Sequence, residues 1–217
     1  MLDSLLGYFV RFALILPAIV LHEVSHGYVA YLLGDQTAKR AGRLTLNPVK
    51  HIDPFGTLLL PALLLLVSGG QYAFGYAKPV PVNPNNFSDY RKGFFLTALA
   101  GPTTNLTLAF LSGLGFRLLD GSGTLAMLLL YFAQMNLVLM FFNLIPIPPL
   151  DGSRVIPLFL SDSAMQKYHE VERYGFAILM VVLWGIPQLT NGAFDPIDTY
   201  FSLTVDPLLR LFTGLGI

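Results

Sequence analysis

The sequence predicts an all-α integral membrane protein with about five to six apolar helices, a re-entrant segment and short β-strands near its functional site. Of its 217 residues, 54% are hydrophobic and only 12% are charged, whereas soluble domains carry roughly 25% charged residues. The mean hydropathy is +0.61. The formal net charge is zero, so nothing points to a nucleic-acid partner. We therefore expect residues 1–217 to form a single polytopic domain in a cell membrane.

Residues 5–33 are predicted to form the first helix, which carries the sequence HEVSH at residues 22–26. Positions i and i+4 share one face of a helix, so His22 and His26 can bind one metal ion with Glu23 beside it. Ionisable side chains inside a membrane-length apolar helix are costly and usually functional. The alternative is that both histidines are hydrogen-bonded in a polar vestibule at the helix end.

Two histidines do not complete a zinc site. A catalytic zinc ion takes a third protein ligand and keeps a water molecule in the fourth position. Because the chain contains no cysteine, thiolate ligands and disulfides are excluded, and the third ligand has to be a histidine or a carboxylate.

A polar loop and two unusual segments follow the first helix. Residues 35–54 contain an alternating stretch at 43–46 that predicts a short β-strand. His51 is interpreted either as a membrane-interface histidine without a metal or as a residue that touches the site. Residues 55–67 are apolar but shorter than the roughly 20 residues of a spanning helix, so we expect them to enter the membrane and return. Residues 72–87 should be extended, because their prolines forbid a continuous helix.

Two further stretches, residues 94–118 and 124–145, are long enough to span a membrane. Asn105 in the first of them is predicted to make an interhelical hydrogen bond. Near the C-terminus, residues 174–187 are apolar but short. Residues 200–217 predict a packed or interfacial helix rather than a lipid-exposed span.

The distribution of basic residues predicts the orientation of the chain. If the apolar segment 55–67 re-enters, three loops on one side of the membrane hold ten of the thirteen basic residues. These loops are residues 35–54, 71–93 and 152–173. The positive-inside rule places this side in the cytoplasm.

The same arrangement predicts that two helices end close together. The first helix and the helix predicted at residues 124–145 run in the same direction, from outside to inside. Asp151, which follows the second of these helices, can therefore reach His22 and His26.

These motifs together resemble the site-2 protease family of intramembrane zinc metalloproteases. HEVSH on an apolar helix is followed far downstream by NLIPIPPLDG at residues 143–152. The sequences NPVKHIDPFG at 47–56 and FGYAKPVPVNP at 74–84 look like the compact prokaryotic branch of that family, which lacks a PDZ domain. The resemblance implies a catalytic core of about residues 5–155 and a C-terminal helical part of about residues 156–217.

The resemblance implies one zinc ion per chain, held by His22, His26 and Asp151, with one position open to water. It further implies an endopeptidase that hydrolyses a peptide bond in or near a transmembrane segment of a membrane protein. Glu23 would take the proton of the water and pass it to the leaving amine. Asn143 would donate a hydrogen bond to the developing oxyanion. The active site would face the cytoplasmic side.

Three of these residues or segments have structural alternatives. Asp151 could be the N-cap of a helix at 152–160. Asn143 could satisfy carbonyl groups where Pro146 ends the preceding helix. Residues 72–82 could offer a strand edge to an unwound substrate or form a plain interfacial loop.

Other functions are compatible with parts of the pattern. A membrane zinc transporter or metal-binding protein would line a path with the histidines and Asp151, although it would not need a base such as Glu23. An inactive scaffold that binds membrane helices is a third hypothesis. A CAAX-type zinc protease would need a downstream glutamate as ligand, and Glu170 and Glu172 lie in a charged loop without that pattern. The expected partners are a transmembrane protein substrate and the lipid bilayer, and the sequence specifies no oligomeric state.

Overall fold

The computed structural model describes residues 2–67 and 75–216, with side chains for 13–66, 75–161, 163–168 and 170–216. The chain divides into two compact units, Met1–Ser88 and Asp89–Ile217. Helices dominate both units, and the described ranges contain no strand. The fold class is therefore all-α, as the composition predicts, while the single-domain organisation stays a prediction.

The first unit is built on helix α1, Leu2–Leu32, whose segment Ala13–Leu32 is long and apolar enough to cross a membrane. Pro17 lies inside α1, where it removes one N–H from the helical hydrogen-bond ladder. The helix matches the predicted first span, and residues 22–26 lie in its second half.

The rest of the first unit contains short helical turns joined by loops. Helix α2 comprises Thr37–Arg40, and 3-10 turns occupy Pro48–His51 and Pro84–Asn86. Asparagine side chains begin both 3-10 turns, because Asn47 and Asn83 each accept a hydrogen bond from the backbone N–H two residues later. Such local bonds favour turns over strands.

The predicted short β-strands are not confirmed in the described ranges. Residues 43–46 have no regular structure, because Thr45 O accepts a hydrogen bond from His51 Nε2 at 2.9 Å instead of pairing with a strand. Residues 75–83 also lack regular secondary structure. The segment predicted to be extended ends differently, because Pro84–Asn86 form a 3-10 turn. The start of the predicted extended segment, residues 72–74, lies outside the described residues.

A second apolar helix of the first unit begins after Asp53, whose carboxylate accepts two backbone N–H groups of its first turn at 3.1 and 2.7 Å. The helix is π-wound over Pro54–Leu59 and continues as α3, Leu60–Val67. Its apolar part, Pro54–Leu66, is too short to count as a span, which needs roughly 20 residues. The predicted length is therefore confirmed, and the re-entrant path stays a prediction.

Asp35 joins the end of α1 to the loop at residues 83–86. Its fully buried side chain accepts hydrogen bonds from the N–H and hydroxyl of Thr37 at 3.0 and 2.5 Å, and from Asn83 N–H and Asn86 Nδ2 at 2.7 Å each. Burial by itself raises the pKa of Asp35, but these hydrogen bonds together hold the pKa below its ordinary value of 3.8. The charged carboxylate is therefore the form that the fold stabilises.

The second unit contains two helices that are long and apolar enough to cross a membrane, α4 at Tyr90–Leu118 and α5 at Gly123–Leu144. Both predicted spans are present. Helix α4 begins earlier than predicted because Asp89 caps it, accepting a hydrogen bond from Lys92 N–H at 3.0 Å.

A buried amide pair links these two helices. Asn105 Nδ2 of α4 donates to Asn136 Oδ1 of α5 at 2.9 Å, and neither side chain is exposed. Polar side chains that pair in this way hold apolar helices together. The predicted interhelical hydrogen bond of Asn105 is therefore confirmed.

Shorter helices complete the second unit. They are a 3-10 helix at Asp151–Phe159, α6 at Asp162–Glu172, α7 at Gly175–Met180, a π-helical turn at Val181–Gly185, α8 at Ile186–Leu189 and α9 at Pro196–Thr213. Val205 of α9 is buried in one cluster with Ala109 of α4 and Leu137 of α5. The C-terminal helix is thus packed against the two long helices, as its sequence predicts.

We predict that Asp35→Ala lowers the free energy of unfolding by about 2–4 kcal/mol, because it leaves several buried N–H donors without an acceptor. Since folding lowers the pKa of Asp35, its contribution is complete above pH 3.8 and is lost as the pH falls through the folded-state pKa. Unfolding titrations of wild type and variant at several pH values measure both effects.

Asp89→Ala is the matched control, because the carboxylate of Asp89 also accepts a hydrogen bond from a backbone N–H but the side chain is 50% exposed. It should cost about 1 kcal/mol or less. Equal losses in the two variants would contradict the role assigned to Asp35.

Candidate metal centre

His22 and His26 face each other across one turn of α1. Both side chains are buried, with 6% and 5% of their surface exposed. Their Nε2 atoms lie 3.0 Å apart, and the ring planes are nearly perpendicular at 82°. The i,i+4 spacing thus brings two imidazole nitrogens to one point beside the helix.

The two ring nitrogens fit a single zinc ion. In tetrahedral geometry, nitrogens at the usual zinc distance of about 2.0–2.1 Å lie about 3.3 Å from each other. The 3.0 Å between the Nε2 atoms is close to that separation. Histidine and carboxylate donors without thiolate form a ligand set that zinc accepts.

Glu23 lies between the two histidines in the sequence of α1. Its Oε2 accepts a hydrogen bond from the backbone N–H of Val80 at 2.9 Å. The other carboxylate oxygen makes no hydrogen bond with the described residues. A carboxylate at this position of the motif lies beside a bound metal and suits proton transfer more than ligation.

Asp151 belongs to the second unit, where it is the first residue of the 3-10 helix Asp151–Phe159. Its side chain is buried, with a relative exposure of 7% for the residue. The N-cap position is held by Leu150, which has no polar side chain, so the N-cap alternative finds no support. One carboxylate oxygen of Asp151 lies 3.8 Å from a guanidinium nitrogen of Arg154.

The backbone after Asp151 packs closely against the end of α5. A Cβ atom on Gly152 would lie 2.2 Å from the carbonyl oxygen of Leu144, which is nearer than two such atoms can approach. Residue 152 therefore has to be glycine for this loop to lie where it does. In the Asp151-Gly152 pair, the aspartate offers a carboxylate and the glycine allows the close packing against α5.

Tyr168 supports the same loop from α6. Its hydroxyl donates to Ser153 O at 2.8 Å. Burial, and to a smaller extent Glu172, raises the pKa of Tyr168, so the phenol keeps its proton as a donor. Sequence analysis missed Tyr168, because its segment carries no recognisable motif.

The amide of Asn143 is used within α5. Its Nδ2 donates to Leu139 O at 2.9 Å, which resembles the helix-end role considered as an alternative. A side-chain amide has two N–H groups, so a second donor exists for another acceptor. The oxyanion role of Asn143 stays a prediction.

His51 is buried and hydrogen-bonded within the first unit, and its position at the membrane interface stays a prediction. It is only 2% exposed, its Nε2 donates to Thr45 O at 2.9 Å, and its carbonyl oxygen accepts from Lys78 N–H at 2.9 Å. His51 therefore joins two loops of the first unit through buried hydrogen bonds.

The first unit brings His22, Glu23 and His26 together. The second unit contains Asn143 and Asp151, and their part in a zinc site stays a prediction. All five side chains were predicted from the sequence. The hydrogen bond from Val80 to Glu23 was not, because a backbone N–H is common to all residue types except proline.

Comparison with known proteins agrees with this chemistry. The profile of Peptidase family M50 matches residues 120–186. The chain is 41% identical over 224 residues to "Putative zinc metalloprotease YwhC" of Bacillus subtilis (strain 168), covering 95% of this chain and 96% of the relative. No solved structure matches.

More distant relatives carry the same description. "Putative zinc metalloprotease Rip2" of Mycolicibacterium smegmatis is 30% identical, with 87% of this chain and 71% of the relative covered. "Putative zinc metalloprotease MJ0611" of Methanocaldococcus jannaschii is 28% identical, with 70% and 72% covered.

The paired histidines and neighbouring glutamate of an apolar helix, together with relatives that match along nearly the whole chain, show that this membrane protein belongs to peptidase family M50, the site-2 protease family of zinc metalloproteases.

Proposed function

We propose that this protease cleaves a peptide bond in or near a transmembrane segment of a membrane protein. The observation that carries the proposal is the position of the paired imidazoles inside the apolar segment Ala13–Leu32. At 1.5 Å per residue, His26 and His22 lie about 9 and 15 Å from the end of α1 at Leu32. These depths lie within the hydrocarbon core, which is about 30 Å thick.

Asp151 is the third ligand in this proposal. Three features support it: a carboxylate donor, its burial, and its position in the Asp-Gly motif that resembles the family. The ion pair with Arg154 at 3.8 Å would orient the carboxylate, as partners of metal ligands commonly do. Two histidines and one aspartate leave one position for water.

When bound, zinc polarises the scissile carbonyl and lowers the pKa of the attacking water. Glu23 then accepts a proton from this water as its oxygen bonds to the carbonyl carbon. The same carboxylate passes the proton to the nitrogen of the leaving amine as the carbon–nitrogen bond breaks. Asn143 donates the second N–H of its amide to the oxygen that gains charge.

The proposed topology is multi-pass, with the active site open to the cytoplasm. Its support is the excess of basic residues in the loops at 35–54, 71–93 and 152–173. A short apolar helix at Pro54–Leu66 is compatible with a segment that enters and returns. Water reaches the site from the basic side through a polar cavity, because hydrolysis consumes one water molecule for each bond cleaved.

We predict that Glu23→Gln abolishes proteolysis, because glutamine cannot accept and deliver the proton. The expected loss is at least about 100-fold. Mass spectrometry of new protein N-termini in membranes of expressing cells measures this without a known substrate. Wild type should produce termini within transmembrane segments that the variant lacks. Glu170→Gln, the same change on an exposed helix position, should retain them, and identical termini in wild type and Glu23→Gln would contradict the proposal.

A second prediction concerns the third ligand. Asp151→Ala should weaken zinc binding by at least about 100-fold, measured as zinc per chain after dialysis against a chelator. Asp195→Ala is the control, because Asp195 caps α9 through two backbone N–H groups and has no proposed role in binding. Full zinc occupancy in Asp151→Ala would remove Asp151 from the ligand set.

The topology predicts that cysteines introduced at Thr45 and Asn85 react with a membrane-impermeant thiol reagent from the same, cytoplasmic side. A cysteine at Ser122, in the turn between α4 and α5, should react from the opposite side. The chain has no native cysteine, so the background is low. Labelling of positions 45 and 85 from opposite sides would overturn the re-entrant path.

A further inference from the structure

The loop at residues 75–83 is held by hydrogen bonds at every second residue. Tyr76 N–H donates to Gly56 O at 3.0 Å, and Lys78 N–H donates to His51 O at 2.9 Å. The next N–H in this series, that of Val80, donates to Glu23 Oε2 at 2.9 Å. A period of two is that of extended backbone, so these three N–H groups point to the same side.

The third bond differs in kind from the first two. Tyr76 and Lys78 bind main-chain carbonyl oxygens, whereas Val80 binds the side chain of the predicted general base. An N–H···carboxylate bond is shorter and stronger than a bond between neutral groups. The loop therefore reaches the carboxylate of Glu23 through one backbone donor.

Gly27 allows Val80 to come this close to α1. A Cβ atom on Gly27 would lie 2.7 Å from Val80 Cγ1 and 2.7 Å from Leu44 Cδ2. Real Cβ atoms do not come so near to other carbon atoms, so a larger residue at 27 would push the loop away. Val80 is itself buried, with 7% of its surface exposed. Gly27, directly after His26, thus allows the packing that brings the Val80 N–H to Glu23.

Side chains of the same unit also hold two other residues of the loop. Arg43 donates through its guanidinium to Lys78 O at 2.7 Å, and Thr57 donates its hydroxyl to Tyr76 O at 2.8 Å. Tyr76 and Lys78 are therefore bonded at both N–H and C=O. The donor at Val80 is presented by a backbone with little freedom to move.

We propose that the backbone N–H of Val80 is a positioning group for Glu23, and that Gly27 makes room for it. By holding Oε2, this N–H fixes the plane of the carboxylate and leaves Oε1 directed to the proton of the attacking water. Correct orientation of a reacting group contributes strongly to rate. This inference rests on the proposed role of Glu23 as general base.

The sequence around Val80 allows hydrogen–deuterium exchange to be measured at this single amide. Pro79 and Pro81 flank Val80 and carry no backbone N–H. In hydrogen–deuterium exchange of the intact protein, the difference in deuterium between two overlapping peptides with the same start, one ending at Lys78 and one at Pro81, reports on the Val80 amide alone. We expect Glu23→Ala to accelerate its exchange by about 10-fold or more, because the acceptor is lost. Glu23→Gln, whose amide oxygen still accepts, should restore most of the protection.

The amides of Tyr76 and Lys78 are internal controls, because their acceptors are carbonyl oxygens that the Glu23 variants leave unchanged. Their exchange should be equal in all three proteins. Exchange of the Val80 amide that does not respond to Glu23→Ala would overturn the inference.

A kinetic test uses Val80→Pro, which removes the donor, and Val82→Pro as a matched control. Both valines follow a proline, and Val82 N–H makes no hydrogen bond among the described residues. With a substrate peptide from the terminal analysis, we expect Val80→Pro to lower kcat by about 10- to 100-fold while KM and bound zinc stay unchanged. Val82→Pro should keep the wild-type kcat, and equal kcat values in the two variants would overturn the inference.

The two proposals fail in different ways. Absence of Glu23-dependent cleavage in wild type would refute the proposed function, and a general base would then need no positioning. Glu23-dependent cleavage with a wild-type kcat in Val80→Pro would refute only the role of Val80.

Discussion

Polar groups inside an apolar helix have to find partners within the protein, because their surroundings offer none. Helix α1 meets this constraint at one place. The Nε2 atoms of His22 and His26 lie 3.0 Å apart. Glu23 accepts a hydrogen bond from the backbone N–H of Val80. The contacts that satisfy these polar groups also hold them in an arrangement that suits zinc-dependent hydrolysis of a peptide bond. The same contacts therefore serve the stability of the helix and the proposed reaction.

Close packing at glycine makes these contacts possible. At Gly27 the absence of a side chain lets a loop approach α1, and at Gly152 it lets the loop after Asp151 approach the end of α5. Each glycine directly follows a proposed zinc ligand, His26 in one case and Asp151 in the other. The motif glycines thus set how near neighbouring groups come to the backbone beside the proposed ligands.

The long helices and the paired histidines could be predicted because their signals are local: apolar length for the spans, and i,i+4 spacing for the pair. Strands were expected at residues 43–46, yet the described ranges contain none, because the polar groups there bind turns and side chains. The burial of His51 and its hydrogen bond to Thr45 O have no local signal, because both depend on how the surrounding loops fold. The contact between Val80 and Glu23 joins positions 57 residues apart through a backbone atom, which no pattern of residue types can show.

The central claim is that α1 supplies two imidazole ligands to one zinc ion beside Glu23. X-ray absorption at the zinc edge of the purified protein tests it directly, because imidazole rings give a distinct multiple-scattering signal. We expect two imidazole nitrogens per zinc at about 2.0–2.1 Å, with oxygen atoms as the remaining ligands. Zinc with fewer than two imidazoles, or protein that binds no zinc when the metal is supplied, would contradict it.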